Sequence, residues 1–310
     1  MDNILLIDAH NQLWRASIGF GFNKQIHQAC TGECNHKLKT NSILHCSCGQ
    51  EWKSETNCCV SLASQDFILV YNFFRSLRTI LQQFNPDKCF FVLEGHPQFR
   101  YDLFADYKAN RIVKTASKKD IMDKFNFSKK EVIRLMQFLP ITMARASHYE
   151  CDDVISTLCH NMKDENVTVL SNDSDYIQIL QRGYKNCRIF NPIKKEFMEA
   201  PSYPYVAWKC LNGDKSDNIP SLLKPKKALD TVTNPGLFEK FLQVEENRAN
   251  FSINRQLIEF RSVPEEDIHL SDGIKNFSSL KEEFAKMKFE SMLNEKYWNK
   301  FVSTFDCLKY

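Results

Sequence analysis

The chain has 310 residues, enough for one α/β domain and a smaller second domain with a substantial core. No apolar run reaches the roughly 20 residues that a membrane span needs, and the start lacks the basic flank of a signal peptide, so we expect a soluble, cytoplasmic protein. The net charge of +3 argues only weakly against a nucleic-acid partner, because acids sequestered around metal ions would leave the remaining surface more basic.

Two apolar strands near the start of the chain each end in an acid. The run Ile4–Ile7 is typical of a central parallel strand buried on both faces, and Asp8 ends it, with a helix expected from about Asn11. Cys89–Leu93 is a second such strand, followed by Glu94. One acid after a strand is usually a helix cap, but its repetition at successive strands suggests a shared site.

Residues 24–60 interrupt this α/β pattern with six of the chain's 12 cysteines. In a reducing cytoplasm such a cluster favours metal binding over disulfides, and a small loop without its own core is often held by tetrahedral zinc. The spacing departs from the usual doubled Cys-x2-Cys, so an insert with reduced thiols is the alternative. The predicted structural zinc ligands are Cys30, Cys34, Cys46 and Cys48, with His36, Cys58 and Cys59 in reserve.

The segment from residue 67 to residue 140 is predicted to be largely helical. Apolar spacing predicts an amphipathic core helix over Phe67–Phe84. Residues 95–111 are dense in aromatic and basic side chains, which can stack on an unpaired base and bind phosphates, although a solvated amphipathic helix would look similar. Residues 112–139 predict a pair of helices with one basic face, ended by Pro140. The basic residues of that face are Lys118, Lys119, Lys129 and Lys130.

A second group of acids opens the next predicted helix. Apolar residues at helical spacing follow Glu150, Asp152 and Asp153, and capping acids with a solvated neighbour are the simplest interpretation. The strand Val167–Leu170 then leads into Asp173 and Asp175. Because ligands of open parallel sheets bind at the carboxyl ends of the strands, we expect a metal site there. The region after about residue 205 is predominantly helical by pattern, and Trp298, Phe301 and Phe305 are expected in its core.

Five separated motifs resemble, in order and spacing, those of the flap-endonuclease-like 5′ nucleases. They are LLIDAHN (5–11), FRYDLFADYKANR (99–111), YECDD (149–153), LSNDSDYIQIL (170–180) and LNGDKSDNIP (211–220). The segments KCLNGDKSDNIPS and NPIKKEFM, and the stretch over residues 254–267, are similar to the T-even phage ribonuclease H branch of that family. The resemblance covers most of the chain and leaves the Cys-rich insert unexplained.

The resemblance implies a fold and a site. The fold would be α/β, with a central mostly parallel sheet over residues 1–205, a helical gateway and arch over residues 100–140, and a helix-hairpin-helix-like domain over residues 206–310. Two Mg²⁺ or Mn²⁺ ions would be held by carboxylates alone, as suits hard cations. The matching acids are Asp8, Glu94, Glu150, Asp152, Asp153, Asp173, Asp175, Asp214 and Asp217.

The resemblance also assigns roles to basic and aromatic residues. Arg100, Tyr107, Lys108 and Arg111 match the gateway. Lys108 and Arg111 would contact the scissile phosphate, and Tyr107 would stack on the terminal base. Glu94 stands where the family usually has Asp, which puts metal affinity at that position in doubt. The usual glycines are absent from residues 221–227, where Lys224, Lys226 and Lys227 could bind duplex phosphates instead, unless they form a solvated loop.

The implied activity is removal of RNA primers and short 5′ flaps from lagging-strand DNA by two-metal hydrolysis. The alternatives are a structure-specific flap or branched-DNA endonuclease, and a protein that binds replication intermediates without cutting them. The implied partners are DNA and RNA–DNA hybrids, with a phage single-stranded DNA-binding protein and a sliding clamp. The implied location is the cytoplasm of an infected bacterial host. A monomer is expected.

Overall fold

The computed structural model describes residues 1–18, 52–53, 58–59, 67–111 and 116–309. Most of the Cys-rich insert, including Cys30, Cys34, His36, Cys46 and Cys48, lies outside these residues. The described part of the insert consists of β2 (Trp52–Lys53) and β3 (Cys58–Cys59), which pair antiparallel. Within the described ranges, no helix is both long enough and apolar enough to cross a membrane.

The rest of the described chain contains seven further strands and thirteen α-helices. The strands are β1 (Asn3–Asp8), β4 (Lys88–Leu93), β5 (Thr142–Arg145), β6 (Asn166–Leu170), β7 (Cys187–Asn191), β8 (Glu196–Phe197) and β9 (His269–Asp272). The helices are α1 (Ala9–Ile18), α2 (Ile68–Phe84), α3 (Gln98–Leu103), α4 (Ala116–Met136), α5 (Cys151–Asn161), α6 (Ile177–Gln181), α7 (Tyr205–Asn212), α8 (Pro225–Thr233), α9 (Pro235–Gln243), α10 (Glu245–Ile258), α11 (Phe277–Lys286), α12 (Glu290–Leu293) and α13 (Glu295–Ser303).

The predicted elements are confirmed with two differences. The three apolar strands and the helix after the insert begin and end within one residue of the predicted bounds. The pair of helices expected over residues 112–139 is instead the single helix α4, because no glycine or proline interrupts residues 116–136. The region predicted to be helical after residue 205 also contributes the strand β9.

The seven strands form one sheet in the order β8-β7-β6-β1-β4-β5-β9. β1 pairs in parallel with β6, and β6 with β7, whereas β7 and β8 are antiparallel. Residues 4–8 of β1 are all buried, as expected for a central strand covered on both faces. The strand register places the end of β1 directly beside the end of β6, since Ile7 pairs with Leu170.

The chain forms two compact units whose segments alternate along the sequence. The first comprises residues 1–11, 89–114 and 143–271, and the second residues 12–88, 115–142 and 272–310. This division differs from the predicted boundary near residue 205. The core of the second unit is aromatic: Phe284 lies 5.1 Å from Phe74 and 6.1 Å from Phe301, measured between ring centroids. Trp298, Phe301 and Phe305 are buried, as predicted.

Candidate metal centre

The acids at the ends of β1 and β6 lie together at one edge of the sheet. Because these strands are parallel and in register, Ser171 reaches Asp8, and its hydroxyl donates to Asp8 Oδ2 at 3.0 Å. The Tyr176 hydroxyl lies 2.7 Å from Asp152 Oδ1 and 3.3 Å from Asp8 Oδ2, so it links the two carboxylates. Single ligand atoms of Asp8, Asp152 and Cys151 all lie within 4.8 Å of one another.

Glu94 joins this group from the end of β4. Its Oε2 accepts a hydrogen bond from the Cys151 backbone N–H, at the first turn of α5, at 3.1 Å. The following Gly95 lets the two segments approach, because a Cβ there would lie 2.0 Å from the carbonyl oxygen of Ala146. The Gly95 N–H donates to the Tyr149 carbonyl at 3.1 Å. The predicted convergence of strand-end acids with the start of α5 is therefore what the structure shows.

The electrostatics of this group favour a cation. Burial, with repulsion from Glu150, raises the pKa of Glu94 to about 7. Burial, together with the charge of Asp173, raises the pKa of Asp8 to about 6. The same two causes raise the pKa of Asp152 well above its usual value. One of these carboxylates is buried (Asp8) and two are half-buried (Glu94 and Asp152), and each lies close to other acids. Carboxylate oxygens are the ligands that Mg²⁺ and Mn²⁺ prefer, so the group suits a divalent cation.

The structure places Arg100 and Asp153 in the interior rather than at an open gateway. Arg100 is 1% exposed and donates to both oxygens of Asp153 (2.8 and 2.9 Å), to Glu150 Oε2 (2.9 Å) and to the Leu257 carbonyl (3.0 Å). Burial alone would lower the pKa of Arg100, but the charges of Asp153 and Glu150 raise it. The predicted place of Arg100 in the gateway is inconsistent with this burial.

Asp153 likewise has its acceptor capacity filled by protein donors. Besides Arg100, it accepts hydrogen bonds from the Arg261 N–H at 2.8 Å and the Glu150 N–H at 3.2 Å, which makes four bonds on two oxygens. The bond from Glu150 is that of a helix cap, so the simple capping interpretation holds for this acid. As a ligand to metal, Asp153 would have to give up one of these donors.

Tyr107 is also buried, which contradicts the predicted stacking on a base. The side chain is 1% exposed, with its ring edge-to-face against Tyr101 at 5.5 Å. Its hydroxyl lies 3.2 Å from Glu150 Oε2 and 3.2 Å from Asp217 Oδ2. Burial and these two negative charges raise the pKa of Tyr107, so it remains a hydrogen-bond donor.

Lys108 and Arg111 pair with the same two acids. Lys108 forms an ion pair with Glu150 and lies 3.8 Å from Asp217, and Arg111 forms an ion pair with Asp217. Burial would lower the pKa of Lys108, but the charges of Glu150 and Asp217 raise it, so the lysine is cationic. The Arg111 side chain is 53% exposed. These two cations match the predicted gateway more closely than Arg100 and Tyr107 do.

Lys209, which the sequence analysis did not single out, lies between two of the remaining acids. It forms an ion pair with Asp175 and lies 2.8 Å from Asp214, while Asp173 caps the turn through the Asp175 N–H at 2.9 Å. Lys209, helped by Ser216, lowers the pKa of Asp214 to about 2 against the effect of burial. Lys209 lies in an otherwise apolar stretch of a helical pattern, five residues before Asp214. This placement could have identified it from the sequence, because a lysine that becomes buried needs an acidic partner.

The predicted DNA-binding lysines fall in both units. On α4, in the second unit, Lys119 and Lys130 are exposed and Lys129 is half-buried, while Lys118 is described only in its backbone. Lys224 precedes α8 in the first unit, and Lys226 and Lys227 lie in the first turn of that helix. All three are exposed.

Part of the chain is similar in sequence to the 5′-3′ exonucleases. Residues 54–203 match the family described as 5′-3′ exonuclease, N-terminal resolvase-like domain. DNA polymerase I of Chloroflexus aurantiacus is 27% identical over 220 residues, covering 61% of this chain and 22% of that protein. The 5′-3′ exonuclease of Mycobacterium tuberculosis is 25% identical over 205 residues, covering 58% of this chain and 64% of that protein. Both matches span less than two thirds of the relative.

The fold is similar to that of the bacteriophage T5 flap endonuclease, solved with DNA and metal ions. The TM-score is 0.57 at 13% identity, and the match covers 98% of this chain and 97% of that one. The predicted fold, a mostly parallel sheet flanked by helices as in the 5′ nucleases, is confirmed. The finer resemblance to T-even phage ribonuclease H stays a prediction.

Proposed function

We propose that this chain is a divalent-metal-dependent 5′-3′ nuclease that hydrolyses phosphodiester bonds near 5′ ends and in 5′ flaps. The observation that carries the proposal is the convergence of the carboxylates Asp8, Glu94 and Asp152 at one edge of the sheet, where burial and the charges of neighbouring acids raise their pKa values. The relatives named 5′-3′ exonuclease, and the flap endonuclease with the same fold, support the same activity.

The proposed cofactor is a pair of divalent ions, either Mg²⁺ or Mn²⁺. The ligands are carboxylates from the strand ends, α5 and the loop after α7, namely Asp8, Glu94, Glu150, Asp152, Asp173, Asp175, Asp214 and Asp217. When bound, such ions supply an activated water and stabilise the leaving 3′ oxygen. Asp153 is instead assigned as the partner of Arg100. Asp153 and Arg100 together fix the position of Glu150. Zinc in the Cys-rich insert stays a separate proposal.

Lys108 and Arg111 are the proposed phosphate-binding residues. In the structure they neutralise Glu150 and Asp217. Cations bound by those carboxylates would compete for the same charges, which would release Lys108 and Arg111 to the phosphate of the substrate. The side chains of Tyr107 and Arg100 act only through the carboxylates that they hold in place.

The proposed substrates are lagging-strand fragments that carry RNA primers or short 5′ flaps, with the duplex bound by Lys224, Lys226 and Lys227. Binding that depends on exposed lysines should weaken steeply with salt. The likeness to a flap endonuclease favours one second candidate, a structure-specific DNA endonuclease with little action on RNA. Relative rates on RNA-capped and DNA-flapped substrates separate the two. A single-stranded DNA-binding protein and a sliding clamp are proposed partners.

The test is cleavage of a 5′-labelled primer-template with an RNA 5′ end, with and without Mg²⁺. Asp173→Asn is the informative variant, because Asp173 is exposed and its loss should leave folding intact. Asp164→Asn, at an exposed acid in the turn between α5 and β6, is the matched control. We expect Mg²⁺-dependent release of short 5′ products, lost in Asp173→Asn and kept in Asp164→Asn. Binding of the substrate without any cleavage by the intact protein would refute the nuclease assignment.

A further inference from the structure

The last turn of α7 ends directly before the loop that carries Asp214 and Asp217. The final carbonyl groups of any helix lack partners within the helix. Here the Lys209 carbonyl accepts from the Gly213 N–H at 2.8 Å. The Cys210 carbonyl accepts instead from a side chain that is far away in sequence, Nδ2 of Asn254 on α10, at 2.8 Å.

The same amide group of Asn254 also holds the other end of the loop. Its Nδ2 donates a second hydrogen bond to the Pro220 carbonyl at 2.9 Å. Asn254 is 1% exposed, so water does not compete for either bond. One NH₂ group therefore joins Cys210, in the last turn of α7, to Pro220, with Asp214 and Asp217 between them in the sequence.

The loop between these two anchors has a fixed shape. Asp214 and Ile219 exchange two backbone hydrogen bonds, at 3.0 and 2.8 Å, which close the turn. Gly213 has φ of +72°, and a Cβ there would lie 2.7 Å from the Ile219 carbonyl oxygen. The middle of the loop is bonded to the segment before residue 112: the Lys108 N–H donates to the Asp217 carbonyl at 2.9 Å, and Asn218 Nδ2 donates to the Asp106 carbonyl at 2.8 Å. Asn254 adds the bonds that hold the two ends of the loop.

We propose that Asn254 is a positioning residue that orients the Asp214–Asp217 loop for binding of a divalent ion. The inference rests on the proposed function, in which both acids are metal ligands. The role requires two N–H donors on one short, uncharged side chain. Aspartate would present an oxygen to two carbonyl oxygens, and serine would supply one donor instead of two.

The experiment compares Asn254→Asp and Asn254→Ser in the full-length protein. Asn247→Asp is the matched control, since Asn247 lies on the same helix and its Nδ2 donates to the Phe241 carbonyl at 3.2 Å, away from the loop. Mn²⁺ binding to metal-stripped protein is measured by electron paramagnetic resonance, global stability by urea unfolding, and cleavage as a function of Mg²⁺ concentration.

We expect Asn254→Asp to weaken Mn²⁺ binding at one of two sites by about 10-fold, the lower end of the effect of losing a direct hydrogen-bond partner of a metal ligand, because Asn254 holds the loop and not the carboxylates themselves. The Mg²⁺ concentration for half-maximal cleavage should rise by a similar factor, and excess Mg²⁺ should restore the rate. Asn254→Ser should weaken Mn²⁺ binding in the same direction by a smaller factor. If Asn254→Asp does not fold, Asn254→Ser alone tests the inference. Asn247→Asp should match the wild type in both measurements.

Two results overturn the inference in different ways. If the wild type binds Mn²⁺ and folded Asn254→Ser binds it equally well, at whatever stability, the positioning role is wrong and the proposed function stands. If the wild type binds no Mn²⁺, the proposed function fails and the role of Asn254 fails with it.

Discussion

Arg100→Ala tests whether Arg100 is an interior partner of acids rather than a substrate-binding residue. The substitution removes four hydrogen bonds, three of them to carboxylates. The side chains of Arg100, Glu150 and Asp153 are 2%, 7% and 0% exposed, so the acids left behind cannot gain water without rearrangement.

The size of the effect follows from what each acid retains. Loss of one partner of a buried ion pair typically costs about 3–5 kcal/mol. Asp153 keeps two backbone N–H donors, from Glu150 and Arg261, which partly stabilise its charge. We therefore expect the lower end of the range, about 3 kcal/mol of unfolding free energy. Arg100→Lys keeps the charge but cannot reproduce the planar fork, so a loss of about 1–2 kcal/mol is expected.

The assay is urea unfolding followed by circular dichroism at neutral pH in EDTA. Arg255→Ala is the control, because Arg255 is exposed and pairs with Glu259 at 2.7 Å on the surface, where such pairs contribute about 1 kcal/mol or less. A loss in Arg100→Ala no larger than that in Arg255→Ala would refute the interior role of Arg100.

Three further predictions concern the carboxylates. Because burial raises the pKa of Asp8 to about 6 and of Glu94 to about 7, the folded metal-free protein binds protons more tightly than the unfolded chain. Its unfolding free energy in EDTA should therefore fall as the pH rises from about 4 to 7, and saturating Mg²⁺ should remove the slope; a flat profile in EDTA would contradict this. Lys209→Met should lower the melting temperature in EDTA and enlarge the increase on adding Mg²⁺, because Asp175 and Asp214 lose their cation; an unchanged increase would show that Lys209 does not compete with metal. Tyr107→Phe should cost about 1–3 kcal/mol in urea unfolding by removing a donor to Glu150 and Asp217. A Tyr107 exposed for stacking on a base predicts no change, since its hydroxyl would then have water as a partner.

The sequence by itself determined three of the seven strands of the sheet, β1, β4 and β6, and where the acids would meet. Apolar runs ending in Asp8 and Glu94 were sufficient, because the carboxyl ends of parallel strands share one edge of a sheet. The start of α5 and the burial of Trp298 also followed from residue spacing alone. These features are local, so a pattern of a few residues contains the information that specifies them.

Only the tertiary structure decided which charged and aromatic residues face inward. Arg100 and Tyr107 stand in the same motif as Lys108 and Arg111, yet the first two are buried and Arg111 is half-exposed. Their partners lie far away in sequence: Arg100 bonds to Leu257, and Asn254 bonds to Cys210. Burial and hydrogen bonding of a polar side chain depend on which distant segment covers it, and local periodicity carries no record of that segment.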